Sequence, residues 1–132
     1  ETIAAFAAKS LKEVTYHLRF SSEWMIRLGD GTAESKAKMQ TALNELWMFT
    51  GELFEMNETD EMLIKEGIAV DLNEIKPLWE QRVSSILEEA TLTQPTTTWM
   101  QSGGKKGIHT EYLGYILAEM QYLPRAYPDA KW

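Results

Sequence analysis

Glu13 and His17 stand one helical turn apart, the spacing at which a carboxylate and an imidazole can touch or share a metal ion. A di-iron centre in a helical bundle needs more. It takes a Glu-x-x-His pair on each of two helices and one further Glu from each of two others. Only His17 and His109 could supply the imidazoles, and the residues three before them are Val14 and Lys106. The motif is absent at both, so no metal site is expected. Glu13 and His17 are instead expected to share a buried hydrogen bond on the apolar side of their helix. Glu45 and Glu52 are seven residues apart, which returns to one helix face. A pair of core carboxylates or a solvated edge would both fit, and the solvated edge is the expectation. The stretch Gly103-Gly104-Lys105-Lys106-Gly107 could hold an anion through backbone N–H groups and the Lys105 and Lys106 ammonium charges. It lacks the Gly-Lys-Ser/Thr ending of a P-loop, and a flexible turn before a helix is the plainer reading. No serine nucleophile sits beside a base, so no catalytic residue is assigned.

Composition narrows the function classes. The chain carries 13 Lys and Arg against 20 Asp and Glu, a formal charge of -7, which argues against a nucleic-acid binder with its basic face. There is no cysteine, so disulfides, iron–sulfur clusters and thiolate metal sites are excluded. No apolar run reaches membrane-spanning length and no signal peptide is visible. A cytoplasmic protein is expected. The chain opens at Glu1 directly into a helical pattern, which reads as a truncated N-terminus.

The elements that must position these residues are all helical. With Val14 as the zero angle and 100° per residue, Ile3, Ala7, Ser10, Leu11, Leu18, Met25 and Leu28 fall within about 60° of it, opposite Lys9, Lys12, Arg19, Glu23 and Arg27. That is one long amphipathic helix, stopped by Gly29-Asp30-Gly31 through the left-handed backbone that glycine accepts. Thr32 can cap a second helix, with Glu34 in its first turn. Met39, Leu43, Leu46, Phe49, Thr50 and Leu53 extend that helix, and the two should form an antiparallel hairpin. A short helix is expected over 60–66, ended by Gly67. A fourth starts at Asp71, where Glu74 gives capping-box spacing, and buries Ile75, Trp79, Val83, Ile86, Leu87 and Ala90. Pro77 should make its start irregular or kinked. After a loop over 91–107, a last helix near Thr110 carries Leu113, Ile116, Leu117, Met120 and Leu123 to Pro124. The five tryptophans and seven methionines mostly fall on these stripes, so core packing or a partner surface is expected of them. No domain boundary appears, and residues 1–132 read as a single helical domain or fragment.

Several long stretches resemble a known family. They are Lys12 to Ser21, Arg27 to Thr32, Glu66 to Asp71, Gly103 to Glu111 and Ala118 to Leu123, with Trp132 at the end. Together they resemble the C-terminal half of the structural C subunits of bacterial phenylacetyl-CoA epoxidases, across essentially the whole chain. The resemblance implies a ferritin-like helical bundle, here a partial one of about four to five helices. It implies a non-catalytic structural subunit that supports a di-iron catalytic A subunit in the cytoplasm, in aerobic phenylacetate breakdown. A reductase subunit would supply electrons from NADPH through flavin and an iron–sulfur cluster. On that reading this chain binds no cofactor, the di-iron site belongs to the A subunit, and Glu13 and His17 are relics of a lost metal site. Two departures from the family stand out: its N-terminal half, with two bundle helices, is missing here, and Pro77 replaces a helix-compatible residue. A di-iron ferritin-like oxidase and a free-standing helical interaction module are the alternatives. With the preceding helices missing, self-association of the fragment is expected.

Overall fold

The computed structural model describes residues 2–96 and 99–131. Five α-helices follow one another: α1 (Thr2–Gly29), α2 (Ala33–Leu46), α3 (Glu58–Lys65), α4 (Leu72–Glu89) and α5 (Tyr112–Ala126). Short 3-10 turns cover Trp47–Phe49, Gly51–Phe54 and Gly104–Lys106. No strand occurs among the described residues. The all-α expectation holds, and the arrangement is compatible with part of a ferritin-like bundle. No helix among the described residues is long and apolar enough to cross a membrane.

Local chemistry explains most of the boundaries. The Thr32 hydroxyl accepts from Ser35 N–H at 3.1 Å and caps α2. Asn57 caps α3, accepting from Thr59 and Asp60 N–H, while the Asp60 carboxylate accepts from Asn57 N–H at 2.8 Å. This reciprocal box starts α3 two residues earlier than the sequence suggests. Gly67, at φ 66°, ends it: Gly67 N–H donates to Ile64 O and Ile68 N–H to Leu63 O, the left-handed closure typical of glycine. Asp71 caps α4 through Asn73 N–H, without the expected return bond from Glu74. The first bond of α4 spans only three residues, Glu74 N–H to Asp71 O at 3.1 Å, as is common at helix termini. The helix then continues through Pro77 to Glu89.

Two expectations about helix ends need correction. Gly29 and Gly31 do not take left-handed backbone, since the positive-φ glycines are Gly67, Gly103 and Gly107. Gly29 is glycine because α4 ends against it: a Cβ there would strike the Ala90 carbonyl oxygen and lie 3.0 Å from Ala90 Cβ. The second helix stops at Leu46 instead of running to Leu53. The Met48 carbonyl is taken by Gln101 N–H at 2.9 Å, and Met100 packs on Gly51, where a Cβ would come within 3.0 Å of it. Contacts from the later loop thus compete with continuation of the helix. Thr91 takes the left-handed position (φ 56°) that closes α4, where a β-branched residue is strained. Its hydroxyl donates to Gly29 O at 3.2 Å, which offsets part of that strain.

The core is small. Trp47, Leu87, Ala90 and Leu92 are buried, with Met25, Ile26, Met39, Leu43, Trp79, Val83 and Met100 packed around them. It lies where the C-terminal third of α1 meets α2 and α4. Over Thr2–Phe20 every residue except Ser10 is exposed, so the long stripe of α1 is covered only near its end. The expected burial of the α5 stripe also fails: Leu113 is half-buried, and Ile116, Leu117, Met120 and Leu123 are exposed. Amphipathic periodicity marks the face that wants cover; here no described element of the chain supplies it.

Candidate functional site

Glu13 and His17 lie on the uncovered part of α1. Their nearest approach is 3.8 Å, with side chains 77% and 65% exposed. That is a solvated contact, too long for a hydrogen bond, so the expected buried bond is overturned. The cause is the missing cover over Thr2–Phe20. Beside them an aromatic ladder climbs α1: Tyr16 stacks on Phe20, Phe20 meets Trp24 edge-on, and Arg19 and Arg27 sit over Tyr16 and Trp24. His109 is exposed as well. Among the described residues no three His, Asp or Glu side chains come together in a way that could hold a metal ion. The donor set therefore does not fit a di-iron centre.

The glycine-rich loop has a firmer geometry than a flexible turn. Gly103 and Gly107 are left-handed, at φ 92° and 83°. Gly104 N–H donates to Glu52 Oε2 at 2.8 Å and Gly103 N–H to Glu55 Oε2 at 3.4 Å. A Cβ on Gly104 would run into the Glu52 carboxylate. Lys105 Nζ donates to Asp60 Oδ2 at 2.6 Å, with both side chains partly shielded. The Lys105 hydrogen bond, and then the Asn57 N–H, hold the Asp60 carboxyl below its ordinary value. The loop is thus an anion cradle whose anions are the chain's own carboxylates. An external anion at Lys105 would compete with Asp60, whereas Lys106 stands exposed. Glu45 and Glu52 do not share a helix face, because α2 ends between them. Glu45 is exposed, as the solvated-edge reading expected, while Glu52 is half-buried. Sequence reasoning missed the clamp by Glu52, Glu55 and Asp60. Its partners lie 45 to 52 residues apart, beyond the reach of any local spacing rule.

The remaining feature is an open apolar groove of about 430 Å³ between α1, α2 and α4. Leu18 and Met25 form one wall, Met39 and Leu43 the second, Val83 and Ile86 the third. The hydroxyls at its edge are spent: Ser21 and Ser22 donate to the Leu18 carbonyl, and Thr50 to Trp47 O. No charged side chain among the described residues lines it. Such a surface can bury another apolar face; it holds no acid, base or nucleophile.

Comparison with known proteins matches the sequence of this chain to a family. The family described as phenylacetic acid catabolic protein matches residues 1–132. The chain is 52% identical over 130 residues to the C subunit of the 1,2-phenylacetyl-CoA epoxidase of Escherichia coli (strain K12). That alignment takes in 98% of this chain and 52% of the relative, so the chain spans about half the length of the curated protein it matches.

Proposed function

The chain belongs to the phenylacetic acid catabolic protein family, and we propose that it is a non-catalytic structural part of a phenylacetyl-CoA epoxidase. In this role it supports a di-iron catalytic A subunit in the cytoplasm, in the aerobic breakdown of phenylacetate. The observation that carries the reading is what the chain offers to chemistry and what it offers to a partner. Its histidines are exposed and, among the described residues, no three donors gather around them, while its helices present apolar faces. α5 makes no extensive contact with any other described element, yet Tyr115, Ile116, Met120 and Leu123 stand exposed along it. A helix of this kind is held in place by a partner more readily than by its own domain.

Two measurements test the proposal together. Co-purification with the A subunit should give a complex that survives gel filtration, and Ile116→Glu with Met120→Glu should abolish it while leaving the chain folded. Iron loading followed by metal analysis should leave this chain without stoichiometric iron. Two irons per chain with a carboxylate-bridged spectrum would instead establish a ferritin-like oxidase. A chain that ignores the A subunit at micromolar concentration would establish a free-standing module.

A further inference from the structure

The segment that follows α2 is nearly a continuation of it. Trp47 (φ -57°, ψ -34°) and Thr50 (φ -73°, ψ -24°) have right-handed helical backbone, and Trp47 N–H still donates to Leu43 O in the α pattern. Beyond Trp47 the bonds shorten by one residue. Thr50 N–H reaches Trp47 O at 3.0 Å, Leu53 N–H reaches Thr50 O at 3.3 Å and Glu55 N–H reaches Glu52 O at 3.2 Å. Long runs of such bonds are uncommon, because their geometry is poorer than that of the α-helix. In the α register Thr50 and Phe54 would stand within about 20° of Leu43, and Leu46 and Leu53 within about 80°. The apolar stripe of α2 thus fits an α-helix that runs to Phe54, yet Leu46 and Leu53 are 62% and 55% exposed in the broken form.

The strap Met100–Lys105 holds the tighter form. Gln101 N–H occupies Met48 O at 2.9 Å, the acceptor that Glu52 N–H would use in an α-helix. Met100 lies against Gly51. Glu52 and Glu55 accept from Gly104 and Gly103 N–H, and Lys105 ties the strap to Asp60. From Trp47 to Glu52, three residues per turn and 3.6 residues per turn differ by about 100° in direction and about 2.5 Å in rise. Continuing the α-helix would therefore swing the Glu52 carboxylate away from Gly104. It would also turn Met48 O to its own helix partner and free Gln101 N–H. A seated strap and an α-helical 47–54 exclude one another.

We propose that residues 47–54 are a two-state element governed by this strap. In the closed form the strap is seated and the segment is a 3-10 turn. In the open form the strap lifts and α2 runs on to Phe54. Trp47 belongs to both registers, since its N–H already makes the α bond, so the change falls on the residues after it. Phe54 now meets the edge of Trp79 with ring centroids 5.4 Å apart, and the change of twist takes it off that ring. Thr50 lines the apolar groove, so the strap also sets the shape of one end of the groove. The switch is a property of this chain alone and does not rest on the role proposed above.

Two perturbations open the element from opposite sides. Glu52→Ala with Lys105→Ala removes two ties of the strap and spares the buried core, to which neither residue belongs. Gly51→Ala acts on the helix instead: its methyl would lie 3.0 Å from Met100 Cβ, and alanine favours the α-helix over glycine. It keeps every polar tie of the strap, so it stands as a test by itself. Nuclear magnetic resonance on the full chain should show the same change in both variants. A contact should appear between Met48 Hα and the amide proton of residue 52, a spacing that an α-helix closes and a 3-10 turn does not. Contacts between the Phe54 and Trp79 rings should be lost, and the Gly104 amide should exchange faster. Faster exchange at Gly104 with 47–54 still in the 3-10 form, or unwound, would overturn the proposal, because the strap would then not choose the register. The wild-type pattern persisting in both variants would overturn it too.

Discussion

Gly29→Ala tests the joint that fixes α1 to α4. The added methyl would meet the Ala90 carbonyl oxygen, Ala90 Cβ at 3.0 Å and Leu92 Cγ at 3.1 Å. Both residues belong to the buried core, and the closest atom is backbone, which no change of rotamer moves. The helices must therefore part, and the Thr91 hydroxyl bond to Gly29 O at 3.2 Å parts with them. Overpacking of this kind costs about 1–3 kcal/mol. The helix-forming advantage of Ala over Gly returns at most about 1 kcal/mol, and less at the last residue of a helix. A net loss of about 1–2 kcal/mol lowers the melting midpoint by roughly 4–10 °C for a domain of this size. Thermal melts followed by circular dichroism read it directly. Gly114→Ala is the control, since a Cβ there meets nothing within 4 Å and should raise helicity in α5. If Gly29→Ala melted at or above the wild-type temperature, the account of this helix junction would be wrong.

The other expectations are smaller. His17→Ala should shift stability by no more than about 0.5 kcal/mol, since the side chain is exposed and its partner distant; a clear drop in midpoint would mean that His17 has a closer partner. Glu52→Ala should cost about 1–2 kcal/mol locally by orphaning Gly104 N–H and speed its hydrogen exchange, with Glu52→Gln nearer to wild type; unchanged exchange would refute the clamp. The Asp60 carboxyl is depressed in the folded chain, so its stabilising tie to Lys105 is present above the ordinary value of 3.8 and lost as pH falls through the lowered one. Asp60→Asn should therefore loosen the loop at neutral pH and change little in strong acid, as read by exchange of the Lys105 and Lys106 amides. A difference that grew in acid would reverse the assigned sign.

Signals confined to a few neighbouring residues were legible in the sequence. Thr32 caps α2, Gly67 closes α3 and the long amphipathic pattern marks α1, because each rests on backbone chemistry within one or two turns. What failed needed a distant partner. The end of α2 at Leu46 depends on Gln101 and Met100, and the loop clamp depends on Glu52, Glu55 and Asp60. The Glu13–His17 expectation failed differently. Periodicity correctly put His17 beside an apolar stripe, but it carries no information on whether anything covers that stripe. The missing Glu-x-x-His pair was legible at once, since it is a matter of residue identity.

The surplus surface has a thermodynamic consequence. An unfolded chain of this mass exposes roughly 22,000 Å², so the folded chain, at 10985 Å², removes only about half of it. A compact chain would remove roughly two-thirds. The heat-capacity increment and the denaturant slope both follow that area, and each should be about a quarter smaller in a lone copy than its length suggests. The unfolding transition of such a copy is correspondingly broad. Its stability curve is also flatter, so cooling and warming weaken it gently on either side of the maximum.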